Sequence, residues 1–210
     1  MYFDFSKLSG KNCYKLLSST VVPRPIAWVV TCDEIGRNNA APFSFFSVVS
    51  GDPPVVSLAI GGTLTGQKDT LRNILANGEL VINMVSEENI EAMNITAIPF
   101  KSGIDELNQA GVEHCASNMV RPPRIADSPV SLECSVREII SIGQSNHLVL
   151  ANVLAAHVND NAIADIERCR IDASKLYLVG RSESPGWYVR TRDRFLLKQR
   201  KVEDWKFVND

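Results

Sequence analysis

Residues 130–158 read VSLECSVREIISIGQSNHLVLANVLAAHV, and this stretch decides the fold class. Two long runs rich in aliphatic and β-branched residues, Val130–Ile142 and His147–Val158, flank a turn segment over Gly143–Asn146. Runs of this kind joined by a short turn that contains glycine are typical of a β-hairpin. The sequence therefore predicts two long, paired strands in its second half.

Shorter strands are predicted on both sides of the hairpin, with a few short helices between them. The strand candidates are Ile26–Cys32, Val55–Ile60, Leu80–Val85 and Leu176–Val179. Helices are predicted over residues 6–18, from Gln67–Thr70 to a glycine cap at Gly78, and from Ser86 onward with Ile90 and Met93 as apolar points. Because the strands do not alternate regularly with helices, the pattern disfavours a doubly wound parallel sheet and predicts a β-rich barrel decorated with helices.

Length and composition predict an ordinary globular domain and exclude one class of partner. The chain has 210 residues, of which 45% are hydrophobic and 22% charged, and its formal net charge is -2. It contains no internal repeat, low-complexity tract or flexible linker, so residues 1–210 are predicted to form one domain. Because a net charge of -2 and a pI near 6.0 give no overall excess of positive charge, nucleic acid is not expected as a partner.

Neither secretion nor membrane insertion is indicated. The start of the chain, MYFDFSK, lacks the basic and then apolar pattern of a signal peptide, and no stretch approaches the roughly 18 to 20 apolar residues of a membrane helix. The five cysteines are odd in number and widely spaced, so they predict neither a disulfide framework nor a zinc site. We therefore expect a cytoplasmic protein with no membrane partner and no bound metal.

The first candidate site is Asn39–Ser47, which combines an amide, hydroxyls and aromatic rings in a stretch predicted to be irregular. A flavin needs such a mixture, because N–H and hydroxyl groups can bind its phosphate and ring edge while apolar surface contacts its plane. The alternative is a strand whose aromatic residues belong to the core. Composition alone favours this alternative, because aromatic side chains dominate ordinary cores.

The second candidate site is Gln67–Thr70, at a predicted helix start. The free N–H groups and the dipole of a helix N-terminus attract anions, and Lys68 together with the Thr70 hydroxyl would strengthen a phosphate site there. The alternative is plain capping of the helix by Asp69 or Thr70.

The third candidate is His147, at the mouth of the hairpin. Histidine is the usual residue for proton transfer near neutral pH, although a lone histidine more often serves structure. The sequence contains no GxSxG, P-loop, GxGxxG or HExxH motif. Difficult chemistry would therefore have to come from a bound cofactor.

A collinear set of segments covers nearly the whole chain, and no single segment is specific. The longer segments are VPRPIAWVVT at 22–31, NAAPFSFF at 39–46, KDTLRNI at 68–74, LVINM at 80–84, RPPRI at 121–125 and GWYVRTRDRF at 186–195. The shorter ones are DPP at 52–54, SLEC at 131–134, NH at 146–147 and VGR at 179–181. Taken in order, they resemble the flavin reductase-like family, whose fold is the FMN-binding split barrel and which includes flavoredoxin.

The resemblance implies a β-rich α+β fold: a split β-barrel, mostly antiparallel and Greek-key-like, with short peripheral helices. It implies FMN as cofactor, and a homodimer with flavin sites close to the subunit interface. The implied FMN contacts are Trp28, Val29, Val30, Thr31, Asn39, Ala41, Pro42, Phe43, Ser44, Phe45, Phe46, Lys68, Asp69 and Thr70. Ser44, Lys68 and Thr70 would contact the phosphate or the ribityl chain. Trp28, Phe45 and Phe46 would form a wall near the ring, and His147 is the candidate catalytic contact.

The function favoured by the resemblance is an oxidoreductase that takes electrons from NAD(P)H through FMN to a redox partner protein or a monooxygenase. One alternative is a flavoredoxin-type FMN electron carrier with no NAD(P)H site of its own. Another is a split-barrel oxidase that acts on a phosphorylated small molecule. Two departures from the family pattern bear on the electron donor: Ser145–His147 stands where Gly-Asp-His is common, and Ala151–Asn152 stands where Gly-Glu is common.

Overall fold

The structure, a computed structural model, describes residues 1–62 and 66–201. Its helices are α1 (Gly10–Thr20), α2 (Asp69–Asn77), α3 (Ile90–Ile95) and α4 (Glu106–Gln109). Its strands are β1 (Arg24–Pro25), β2 (Ala27–Cys32), β3 (Asn38–Phe43), β4 (Phe46–Gly51), β5 (Pro54–Ile60), β6 (Glu79–Met84), β7 (His114–Cys115), β8 (Arg124–Ile125), β9 (Val130–Ile142), β10 (Asn146–Val158), β11 (Ile163–Asp165), β12 (Arg170–Ile171), β13 (Val179–Arg181) and β14 (Tyr188–Arg190). The predicted domain over residues 1–210 includes residues 63–65 and 202–210, which lie outside the described part. No helix in the described ranges is long and apolar enough to cross a membrane.

The long hairpin lies at the centre of the main sheet. β9 and β10 pair antiparallel from Asn146↔Ile142 to Val158↔Val130, which confirms the predicted hairpin. Seven antiparallel strands follow the order β3-β2-β6-β9-β10-β5-β4. Because β5 and β6 lie on opposite sides of the hairpin, the segment that joins them, which contains α2, crosses from one side of the hairpin to the other.

Strand β2 is buried on both faces, and this explains its continuous apolar run. Trp28 and Val30 pack into an outer core with Met93 of α3 and Leu107 of α4. The opposite face of β2 contributes to the barrel interior, which consists of Ala27, Val29, Phe43, Phe46, Val56, Leu58, Ile60, Leu71, Ile74, Leu80, Ile82, Cys134, Val149 and Ala151. A strand covered on both faces needs apolar side chains at successive positions rather than at alternate ones.

The edge strand β3 is covered by α4. The carboxylate of Glu106 accepts a hydrogen bond of 2.9 Å from the backbone N–H of Ala40. Burial raises the pKa of Glu106. This contact satisfies a donor on the edge of the sheet, and a covered edge is not available for pairing with another chain.

A small second sheet, in the order β1-β13-β14, brings distant parts of the chain together. Arg24 pairs with Arg181, and Arg181 pairs with Tyr188 on the next strand. A Cβ at Gly180 would lie 3.2 Å from the Arg24 carbonyl oxygen and 3.2 Å from Pro23 Cβ. A side chain at position 180 would therefore require its neighbours on β1 to shift by a few tenths of an ångström.

The prediction that Asn39–Ser47 is irregular is wrong. Most of it belongs to β3 and β4, and only Ser44 and Phe45 lie between the two strands. Pairing of β3 with β2 extends the strand through its polar residues and through Pro42. Proline is tolerated there because β3 is an edge strand.

The boundaries of three other elements differ from the prediction. The first helix begins at Gly10, because the Ser9 hydroxyl accepts a hydrogen bond from the Asn12 N–H and caps it. The helix predicted from Ser86 begins at Ile90 instead, because the Ser86 N–H donates to the side chain of Asn89 at 2.8 Å. The last predicted strand begins only at Val179, after a 3₁₀-helix over Ala173–Leu176.

Candidate functional site

Lys68 lies at the start of α2, and its ammonium has no acidic partner in the described part of the chain. It is the N-cap residue and its side chain makes no capping hydrogen bond, so the alternative in which Asp69 or Thr70 caps the helix is wrong. The Lys68 ammonium lies 5.0 Å from the centroid of the Phe43 ring. Burial lowers the pKa of Lys68, since it disfavours the charged form. An unpaired, half-buried cation beside the free N–H groups of a helix start can bind an anion.

Neighbouring polar side chains fix the start of α2 against the sheet. The Asn39 amide donates to the Thr70 hydroxyl at 3.0 Å, and both residues are buried. One turn later, the Asn73 amide donates to the Thr31 hydroxyl at 3.1 Å. Asp69 forms an ion pair of 2.9 Å with Arg72. These contacts set the position of Lys68 relative to β3.

A second group of predicted residues surrounds the guanidinium of Arg24, a buried residue that the sequence reasoning did not assign. Its Nη1 donates to the carbonyls of Ser18 and Val21, each at 2.6 Å, and its Nη2 donates to the Ser182 carbonyl at 2.9 Å. Its Nε donates to the Ser44 hydroxyl at 3.4 Å, and the guanidinium lies 5.7 Å from the centroid of the Phe45 ring. Arg24 therefore anchors Ser44 and Phe45, the two residues between β3 and β4.

A cavity of about 600 Å³ opens beside Ser44. It lies between the end of β3, helix α3 and the β13–β14 hairpin. Its lining consists of Ile26, Pro42, Phe43, Ser44, Ile90, Glu91, Met93, Asn94, Ala97, Arg181, Pro185, Gly186 and Tyr188. Three predicted site residues, Pro42, Phe43 and Ser44, line it, and Phe43 connects it to Lys68. Sequence reasoning placed none of the α3 or β13–β14 residues at a site, because only the tertiary contacts bring them to β3.

The remaining predicted contacts on β2, β3 and β4 are more buried. Trp28, Val29, Val30 and Thr31 are 0% exposed, and the Trp28 indole N–H donates to the Thr96 hydroxyl at 2.9 Å. The structure thus places the indole in the core beneath α3. Ala41 is half-buried and packs against the barrel interior, to which Phe46 also belongs.

His147 lies apart from the cavity lining. It sits on β10 opposite Ile60 of β5, and its ring Nδ1 is buried without a hydrogen-bond partner among the described residues. The end of β5 passes closely by, since a Cβ at Gly62 would lie 2.7 Å from Ser145 Cβ. An unsatisfied buried nitrogen next to a close approach of two segments keeps His147 a candidate for contacting a ligand.

The described residues contain no cluster of side chains that could bind a metal ion. Across residues 1–62 and 66–201, no three His, Cys, Asp or Glu side chains come together in a way that could hold a metal ion. The groups that do come together are an unpaired ammonium, an aromatic ring, a hydroxyl and a cavity. This combination suits an organic ligand that carries an anionic group and a flat ring.

Comparison with known proteins gives a consistent result. A family model described as a flavin reductase like domain matches residues 18–180. The 2-nitrobenzoate 2-nitroreductase of Pseudomonas fluorescens is 32% identical, with a TM-score of 0.88 over 96% of this chain and 98% of that chain. Component B of the nitrilotriacetate monooxygenase of Bacillus cereus is 27% identical, with a TM-score of 0.88 over 94% and 98%. A Shewanella frigidimarina protein assigned as a flavin reductase with a split barrel domain has a TM-score of 0.82 at 18% identity, over 95% of this chain and 100% of that chain, and supports the fold alone.

Proposed function

This chain belongs to the flavin reductase-like family and has its split-barrel fold, and from that premise we propose that it holds FMN non-covalently and transfers electrons from NAD(P)H through it. The observation that carries the proposal is the continuous set of Lys68, Phe43 and Ser44, which leads from a cation without an acidic partner in residues 1–62 and 66–201 to the 600 Å³ cavity. A phosphate ester with a flat ring requires a cation at one end and apolar and hydroxyl groups at the other.

The donor set fits FMN. Lys68 supplies a positive charge that lacks an acidic partner among the described residues, and the first N–H groups of α2 have no partner within the helix. Ser44 offers a hydroxyl at the rim of the cavity, where Phe43 and Pro42 provide apolar surface. We assign the phosphate to Lys68 and the start of α2, and the ring to the side of β3 that borders the cavity.

FMN supplies the redox chemistry when bound, since its ring accepts a hydride and passes electrons onward. The residues of the chain bind and orient the reactants. Lys68 neutralises the phosphate, and the buried Arg24 holds Ser44 in place through a hydrogen bond of 3.4 Å. The cavity beside Ser44 is large enough to admit a planar ring besides the flavin. Holding the two reactants in a fixed orientation there would accelerate electron transfer between them.

The test is a visible absorbance spectrum of the desalted protein, followed by anaerobic titration with NADH and with NADPH. A flavin spectrum that bleaches on titration is the expected result. A colourless protein that does not quench the fluorescence of added FMN would overturn the proposal. A flavin spectrum that neither pyridine nucleotide bleaches would reject direct NAD(P)H use and leave FMN binding intact.

The second candidate function is an FMN electron carrier without its own NAD(P)H site. It is favoured by the turn next to His147, where Asn146 is exposed and supplies no carboxylate to the histidine. Stopped-flow reduction separates the two functions. A carrier would accept electrons from a partner reductase far faster than from pyridine nucleotide, whereas an enzyme with its own donor site would show the opposite order.

We further propose that the chain acts as a homodimer. The sheet exposes apolar side chains on β4, where Val48 is 73% and Val49 is 55% exposed, and on the hairpin at Ile142, which is 50% exposed. An apolar sheet surface of this kind suits a second copy of the chain. Light scattering of the purified protein is expected to give twice the chain mass, and a monomer at micromolar concentration would reject the proposal.

The similar proteins have different functional assignments, so family membership leaves the electron acceptor open. One of these proteins is a nitroreductase and another is a monooxygenase component. We propose a redox partner protein or a monooxygenase as the acceptor. The five cysteines are free thiols, which fits a reducing compartment such as the cytoplasm.

A further inference from the structure

Arg181 presents a guanidinium to the 600 Å³ cavity without an acidic partner in the described ranges. It lines the cavity from β13, and the only hydrogen bond of its side chain within residues 1–62 and 66–201 runs from Nη2 to the Pro185 carbonyl at 3.2 Å. A guanidinium has five N–H donors in a planar fork. Donors therefore remain free for a ligand in the cavity.

The guanidinium is held in place by its neighbours. Its Cζ lies 4.8 Å from the centroid of the Tyr188 ring, and Tyr188 also lines the cavity. The stacking and the hydrogen bond to Pro185 restrict the side chain before any ligand arrives. A restrained cation loses less conformational entropy on binding than a mobile one.

The local charge favours an anion on this side of the cavity. Arg24, directly across the small sheet, is buried and bonded to three carbonyls and a hydroxyl, and no carboxylate of the described residues forms an ion pair with it. Burial lowers the pKa of Arg24, and the nearby positive charge of Arg181 acts in the same direction. Glu91 on α3 is the acidic residue in the lining, and it forms no ion pair with Arg181.

The rest of the lining is suited to a flat ring. Ile26, Pro42 and Met93 provide aliphatic surface, and Tyr188 provides an aromatic face. A volume of about 600 Å³ lies within the range of about 300 to 1,000 Å³ that is typical of small-molecule pockets. The shape of the lining and the charge of Arg181 thus suit a flat ring that carries a carboxylate.

We propose that this cavity is a binding site for small aromatic carboxylates, with Arg181 as the residue that binds the carboxylate. The proposal rests on the proposed function only in that the bound flavin would border the cavity at Ser44. A planar guanidinium binds a carboxylate through two parallel hydrogen bonds, which a neutral carboxamide cannot reproduce. Arg181 therefore sets a preference for anionic over neutral rings of equal size.

The experiment is calorimetric titration of the FMN-loaded protein with benzoate and with benzamide, two rings of nearly equal shape that differ in charge. Benzoate is expected to bind at least about tenfold more tightly. Arg181→Gln should abolish this preference and leave benzamide affinity unchanged, while Arg181→Lys should keep only part of it. Equal affinity for the two probes in the unaltered protein, or a preference that survives Arg181→Gln, would overturn the proposal.

Glu91→Gln is the complementary variant, because it removes the negative charge of the cavity lining and leaves Arg181 intact. It should tighten benzoate binding about two- to fivefold without changing benzamide binding, and an unchanged benzoate affinity would count against an anion in this cavity. The flavin absorbance of each variant is recorded beside the titration. If FMN does not bind at all, the proposed function fails. The same titrations on the flavin-free protein then still decide the benzoate site.

Discussion

Removal of the Lys68 charge is the sharpest test of the phosphate site. Lys68→Met keeps an unbranched apolar side chain over the Phe43 ring, where the ammonium lies 5.0 Å from the ring centroid, and removes only the cation. Because the ammonium is half-buried and unpaired with acids in the described chain, its contact with a phosphate should resemble a charge-assisted hydrogen bond rather than a surface ion pair. The expected loss is about 1.5 to 3 kcal/mol, which corresponds to roughly tenfold to hundredfold in Kd.

The assay is the quenching of FMN fluorescence, with riboflavin as the matched ligand that lacks the phosphate. Lys68→Met should weaken FMN binding by the stated factor and leave riboflavin binding unchanged, whereas Lys68→Arg should retain most of the FMN affinity. Lys11→Met, at an exposed position on α1, controls for the loss of one surface charge. An FMN Kd within twofold of the unaltered protein, or an equal loss for riboflavin, would refute the assignment of the phosphate to Lys68.

The pKa of Lys68 is lowered by burial from 10.5, so FMN affinity should fall as the pH rises through that lowered pKa, and Lys68→Met should not show this fall in the same quenching assay. Trp28→Phe removes the 2.9 Å hydrogen bond to Thr96 and should lower the free energy of unfolding in urea by about 1 to 3 kcal/mol; a larger effect on FMN affinity than on stability would instead place the indole at the flavin. Burial raises the pKa of Glu133, but two backbone N–H donors and His157, at 2.6 Å, outweigh this and hold it below 4.5. The stabilisation by Glu133 is therefore complete above pH 4.5 and lost as the pH falls through the lowered pKa, and urea unfolding of Glu133→Gln should show a flatter acid limb.

Several elements could be predicted from the sequence because their signals are local. The hairpin β9–β10 appears at nearly the predicted bounds, since both strands and their turn lie within one continuous stretch. The cap of α2 was predicted at Gly78, which has a φ of 69°. The position of Lys68 at the N-terminus of α2 was also predictable, because it depends only on where the helix begins.

Other features could not be predicted, because their partners are far away in the chain. Asn39–Ser47 has a composition that suits a loop, yet pairing with β2 makes most of it strand. The helix predicted from Ser86 begins only at Ile90, because Ser86 bridges to Leu178 and the three residues after it form a turn closed by the side chain of Asn89. Local propensity is a weak influence that such contacts override.

The amino-acid sequence alone determined a β-rich barrel with short helices and a cation at the start of α2, because periodicity, turn residues and helix caps act over a few residues. Only the tertiary structure decided which polar groups are free to meet a ligand. The buried Arg24 bonds Ser182, 158 positions away, and Asn39 bonds Thr70, 31 positions away. Whether a donor is already satisfied depends on these distant partners, and so only the folded chain shows that Lys68 and Arg181 have no acidic partner among the described residues.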